Sequence, residues 1–76
     1  MSGVTSYNDF TSTGVYDVRI GDLENAPTTE AGLLMVIAYS NGRVIQIFTD
    51  DENITGIYYR KRVRSSWGVW KTLSEV

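Results

Sequence analysis

The chain has no cysteine, no histidine and a single proline among its 76 residues. Lack of cysteine excludes disulfides and thiolate nucleophiles. Lack of histidine excludes imidazole bases, and the two absences together exclude most zinc sites. Charge is also scarce: seven basic and nine acidic residues leave a net charge of −2, too small to imply an electrostatic partner. No apolar run approaches the roughly 18 residues that span a bilayer, so membrane insertion is not expected. Met1 is followed by polar residues, not by the basic stretch and apolar core of a secretory leader. Helical patterning is missing too, since no segment keeps a 3.6-residue period over three turns.

What is present is an ordinary globular fraction of hydrophobic residues, 42%, which argues against disorder and for one small domain. Size then poses a problem. Below about 70–80 residues a single core rarely supplies more than roughly 3–5 kcal/mol, and such domains usually add a staple. With disulfides excluded and no metal expected, the remaining staples are oligomerisation or the rest of a longer protein.

The β-branched and aromatic residues gather in short runs separated by turn signals. Val15 to Ile20 alternates, with Tyr16, Val18 and Ile20 on one face and Asp17 and Arg19 on the other. Leu33 to Ser40 and Arg43 to Thr49 flank Asn41-Gly42, a pair suited to the positive φ values of a type I′ hairpin. With Ser40 opposite Arg43, one face carries Met35, Ile37, Tyr39, Val44, Gln46 and Phe48, and the other Leu34, Val36, Ala38, Ile45, Ile47 and Thr49. A half-buried hairpin has one polar face; this one has none, so both faces need cover. Ile57 to Arg64 is a further strand, and Trp67 to Leu73 a turn and a last short strand. The expected fold is all-β, mainly antiparallel, a small sheet or sandwich. Residues 1–8 are expected as a flexible lead-in and 9–76 as the single domain.

The order of motifs resembles the knob domain of phage tail fibres and R-type pyocin fibres. The carriers are Gly14-Val15-Tyr16, Asn25-Ala26-Pro27, Gly32-Leu33-Leu34-Met35-Val36, Gln46, Tyr58-Tyr59-Arg60 and Trp67-Gly68-Val69-Trp70-Lys71. The likeness spans about residues 9 to 73. Two departures are Val15, where the family often has a larger side chain, and the long acidic turn Asp50-Asp51-Glu52. The resemblance implies a homotrimer within a longer fibre, in a virion tail fibre or an extracellular tail-like particle. It also implies roles in receptor binding and host attachment through surface polysaccharide.

Several residues carry alternative readings. Trp67 and Trp70 can be core, or an aromatic platform for a sugar. Their three-residue spacing calls for a bulge or turn at Gly68, and Trp70, with Val69 and Leu73 around it, is expected as the buried one. Gln46, mid-strand, must satisfy its amide. The choices are the backbone of the Asn25-Ala26-Pro27 loop, a neighbouring chain, or a ligand. Arg60, Arg62 and Arg64 form a row beside Tyr58 and Tyr59. That row fits a solvated face paired with Asp17, Asp50, Asp51 or Glu52, or contact with an anionic glycan, or stacking and phosphate contact with nucleic acid; the net acidic chain disfavours the last. A carbohydrate site would draw on Tyr58, Arg60, Arg62 and Trp67, and a structural or oligomer seam on Met35, Ile37, Gln46, Phe48 and Trp70.

Asp50-Asp51-Glu52 lacks the spacing of a calcium loop. As adjacent carboxylates on an exposed tip it also lacks the separation and the split pKa values of a glycosidase pair. No catalytic residue, metal or cofactor is therefore expected, and no enzyme. Asn53-Ile54-Thr55 matches a glycosylation acceptor pattern with no meaning in a phage or bacterial protein.

Overall fold

A computed structural model describes residues 4–19, 23–52 and 56–73. The fold is all-β and antiparallel. Strands β1 (Gly14–Val18), β2 (Gly32–Tyr39), β3 (Arg43–Asp50) and β4 (Ile57–Val63) follow one another across a single sheet, and the short β5 (Ser66–Trp67) and β6 (Lys71–Thr72) both pair with β4. The molecule measures 36 × 34 × 19 Å, a plate one sheet thick with a partial cover on one side.

That cover is the N-terminal segment. A 3-10 turn at Tyr7–Asp9 is closed by a capping box, in which the Ser6 hydroxyl accepts from the Asn8 backbone and the Asp9 carboxylate accepts from the Ser6 backbone. Such a box satisfies donors that a short turn would otherwise leave free. A parallel bridge ties the turn down: the Tyr7 amide donates to the Glu24 carbonyl at 2.9 Å and the Glu24 amide donates to the Thr5 carbonyl at 3.1 Å. Tyr7 (1% exposed) and Phe10 (5%) then press on Val18, Leu34, Val36, Val44 and Phe48. Within the stretch expected as a flexible lead-in, Ser6 and Tyr7 are buried, and Tyr7 belongs to the core. Two edge-to-face ring contacts, Tyr7 to Phe48 at 5.7 Å and Tyr7 to Phe10 at 5.9 Å, explain why this segment docks: an aromatic pair adds about 0.5–1.5 kcal/mol beyond its buried area.

The central hairpin forms where Asn41-Gly42 predicts it. Asn41 has φ 58° and Gly42 φ 75°, and the Arg43 amide donates to the Ser40 carbonyl. Its register differs from expectation. Tyr39, not Ser40, is the strand partner of Arg43, so Ser40 is an extra residue between turn and ladder. A one-residue change exchanges the faces of one strand relative to the other. The covered face therefore carries Leu34, Val36 and Ala38 with Val44, Gln46 and Phe48. The other carries Leu33, Met35, Ile37 and Tyr39 with Ile45, Ile47 and Thr49. Both faces remain apolar, and among the described residues only one is covered: Leu33, Met35, Ile37, Tyr39, Tyr59, Val63 and Val15 are all about two-fifths exposed or more.

Gly32 leaves no room for a side chain. A methyl added there would collide with the Thr49 carbonyl and the Phe48 ring, which no core can absorb without backbone movement.

Candidate functional site

The remaining structure converges on Arg60. It lies on β4 opposite Gln46, on the covered face, and only 5% of it is exposed. A solvated row of arginines is therefore not what forms. Arg60 points inward, Arg64 has left the strand with φ 60° in the β4–β5 turn, and the ion pairs among the described residues belong to Arg19, with Asp17 at 2.7 Å and Asp51 at 2.6 Å. Asp50 instead accepts from the Glu52 backbone at 2.8 Å.

Gln46 organises the region. Its amide nitrogen donates to the carbonyls of Tyr7 (2.7 Å) and Phe10 (2.9 Å), and its oxygen accepts from Arg60 Nε at 2.8 Å. The expected partner, the Asn25-Ala26-Pro27 backbone, is taken by another residue: Trp70 Nε1 donates to the Asn25 carbonyl at 2.7 Å. Gln46 also faces Val36 across the hairpin, because the register moves Ile37 to the other side. This buried amide thus pins the N-terminal turn to the sheet and orients the guanidinium.

The two tryptophans reach Arg60 because the C-terminal segment bulges. Trp67 pairs with Arg62 and Lys71 with Tyr59, so three residues, Gly68, Val69 and Trp70, stand against two on β4. The expected bulge at Gly68 is present, anchored by the Gly68 amide on the Lys61 carbonyl at 2.8 Å. It lets residues three apart share a face. The Arg60 guanidinium carbon then lies 3.9 Å from the centre of the Trp67 ring and 4.6 Å from that of Trp70. Cation–π attraction of this kind is worth about 0.5–2 kcal/mol, more where water is excluded. Both indoles are half-buried. Val69 and Leu73, expected around Trp70, are 76% and 55% exposed; Trp70 packs instead on Tyr7, ring centres 5.9 Å apart. Burial pulls Arg60 down to about 10, which leaves it charged at neutral pH, and pushes the Tyr7 hydroxyl up to about 12.

Beside this cluster runs a cleft of about 330 Å³, lined by Asn8, Asn25, Ala26, Arg60, Trp67, Gly68, Val69 and Trp70. Asn8 belongs to it because its side-chain oxygen accepts from Arg60 Nη2 at 2.9 Å. A second cleft of about 450 Å³ lies on the other side of the bulge and shares Arg60, Trp67, Gly68 and Val69 with the first.

Of the residues expected at a carbohydrate site, Arg60 and Trp67 are brought together. Arg62 is adjacent, 5.6 Å from the Trp67 ring, with its Nε on the Gly42 carbonyl at 3.3 Å. Tyr58 lines neither cleft and packs by the Phe48 ring, 6.4 Å between centres. Of the residues expected at a seam, Gln46 and Phe48 are sealed inside one chain, Trp70 joins the cleft, and Met35 and Ile37 stand on the open face. Asn8 and Asn25 were not anticipated as site residues. The Ser6-to-Asp9 capping spacing was the available signal for the turn that brings Asn8 to Arg60.

Among the described residues no cluster of acidic side chains could hold a metal ion, and no helix is long and apolar enough to cross a membrane. The calcium reading of Asp50-Asp51-Glu52 is not supported, and the Asn53-Ile54-Thr55 pattern lies outside the described residues. Comparison with protein-family models, curated proteins and solved structures finds no match.

Proposed function

We propose that this chain is a non-catalytic knob domain of the phage tail-fibre and R-type pyocin-fibre kind. It is trimeric within a longer fibre and serves fibre architecture and attachment to host surface glycans. The observation that carries the reading is the open sheet face. Leu33, Met35, Ile37, Tyr39, Ile45, Ile47 and Tyr59 form contiguous rows across β2, β3 and β4, and no residue described here lies over them as Tyr7 and Phe10 lie over the opposite face. Contiguous apolar surface of this kind is a contact surface, and a small domain without disulfides gains most from covering it. The need for neighbouring copies comes from this face; their number comes from the resemblance. The non-catalytic reading is supported by the acidic turn, where Asp51 is held by Arg19 and Asp50 by local backbone rather than paired across a cleft.

Sedimentation of the chain at micromolar concentration tests the assembly. A trimer is expected, and the double variant Met35→Lys, Ile37→Lys, altered only at exposed positions, is expected to sediment as a monomer with an unchanged β-type circular dichroism spectrum. A wild-type chain that stays monomeric with its sheet intact overturns the reading.

A further inference from the structure

We propose that the cleft between Asn8, Arg60, Trp67 and Trp70 binds a carboxylate-bearing sugar, with the Arg60 guanidinium edge as the anion contact. This deepens the attachment half of the proposed function and rests on it.

Among the described residues Arg60 is a buried cation without an anionic partner. None of the described carboxylates pairs with it, and its polar partners are the neutral amide oxygens of Gln46 and Asn8. A charge removed from water normally finds an opposite charge. The guanidinium carries five N–H donors, and two are engaged, by Gln46 at 2.8 Å and Asn8 at 2.9 Å. No buried side-chain polar atom among the described residues is left without a partner. The unused donors are therefore not sealed in the core but reach the two clefts that Arg60 lines, and the guanidinium edge bound to Asn8 lies in the smaller one, which Asn8 also lines.

The surroundings define what would fit there. Among the described residues the cleft wall includes no acidic side chain. Asn8 offers its amide nitrogen beside the guanidinium, since its oxygen is already used. The Trp67 and Trp70 indoles supply flat apolar walls. Planar donors suit a carboxylate, which a guanidinium edge grips with charge-assisted bonds, and an aromatic wall suits the apolar face of a pyranose. At about 330 Å³ the space is near the lower end of ligand pockets, which favours one sugar unit.

The chain's only two tryptophans are Trp67 and Trp70, so tryptophan fluorescence reports on the clefts they line, and a substitution at Asn8, which lines only the smaller one, assigns the signal. Titration with glucuronate is expected to change it saturably, while glucose at the same concentrations does not. Asn8→Asp places a carboxylate where the Asn8 oxygen meets Arg60. It is expected to lower glucuronate affinity at least about tenfold by supplying the missing anion internally, with a melting temperature at or above wild type. A flat titration, an equal response to glucose, or an unchanged response in the folded Asn8→Asp variant overturns the inference. The cleft and the open face lie on opposite sides of the sheet, so failure here is distinguishable from failure of assembly. A trimer indifferent to glucuronate loses the sugar site and keeps the knob reading, whereas a folded monomer that binds it loses the trimer.

Discussion

Gln46 is a polar side chain with no exposed surface, and three contacts depend on it. Replacing it with leucine strands the Phe10 carbonyl and the Nε of Arg60, and leaves the Tyr7 carbonyl only its bond from the Phe10 amide at 3.2 Å. Each unsatisfied buried group costs about 1–3 kcal/mol, and partial relaxation limits the sum. Urea denaturation of Gln46→Leu is expected to show a loss of about 3–5 kcal/mol, enough to unfold much of a small domain. Tyr7 makes a separate prediction. Its hydroxyl is held up at about 12 by burial, against about 10 in an unfolded chain. A folded-state value raised above the unfolded one gives a contribution that is full below pH 10 and lost as pH rises towards 12. Between pH 9 and 11.5 the wild type is expected to lose on the order of 1–2 kcal/mol more than Tyr7→Phe, read from denaturation midpoints at the two pH values. The sequence made Gln46 conspicuous as an amide in an apolar seam. It did not reveal the partner, because the contact joins residues 36 and 39 positions apart.

At the level of elements, the strands were legible and one register was not. Alternation in Val15 to Ile20 correctly sent Tyr16 and Val18 inward, although β1 ends at Val18 and Ile20 lies outside the described residues, and the two long strands begin and end within a residue or so of their apolar runs. Asn41-Gly42 located the turn but not the bulged Ser40, since both hairpin faces are apolar and hydrophobic patterning cannot choose between registers one residue apart. A deletion separates the alternatives. Removing Ser40 leaves Tyr39 opposite Arg43 across a two-residue Asn-Gly loop, so the observed ladder survives. Its melting temperature is expected to fall by no more than an amount equivalent to about 1 kcal/mol. A register in which Ser40 paired with Arg43 would instead turn the whole of β3 over and abolish folding. The bulge at Gly68 was foreseeable from the spacing of the tryptophans alone; its purpose was not, because the sequence left Arg60 open between a solvated row and a glycan contact and did not show that it points inward.

For the molecule as a whole, the governing fact is that a plate 19 Å thick seals one apolar face and leaves the other open. This was anticipated from the absence of a polar side to the hairpin, and it holds in either register. It carries a thermodynamic signature. If folding is coupled to assembly, stability depends on protomer concentration, so the melting temperature is expected to rise with dilution reversed over a hundredfold concentration range. The Met35→Lys, Ile37→Lys variant is expected to melt at one temperature throughout. Differential scanning calorimetry at several loadings reads both.

The N-terminal cover sets an order of events. Tyr7 and Phe10 are synthesised before β3 and β4, yet the surface they occupy requires β3, and the Asn8 contact requires β4. Contacts so distant along the chain slow folding, because a long loop must close before anything rewards the closure. Residues that leave the ribosome ahead of the strands they cover are thus among the last to find their places, and until then the growing chain shows aromatic rings to everything around it.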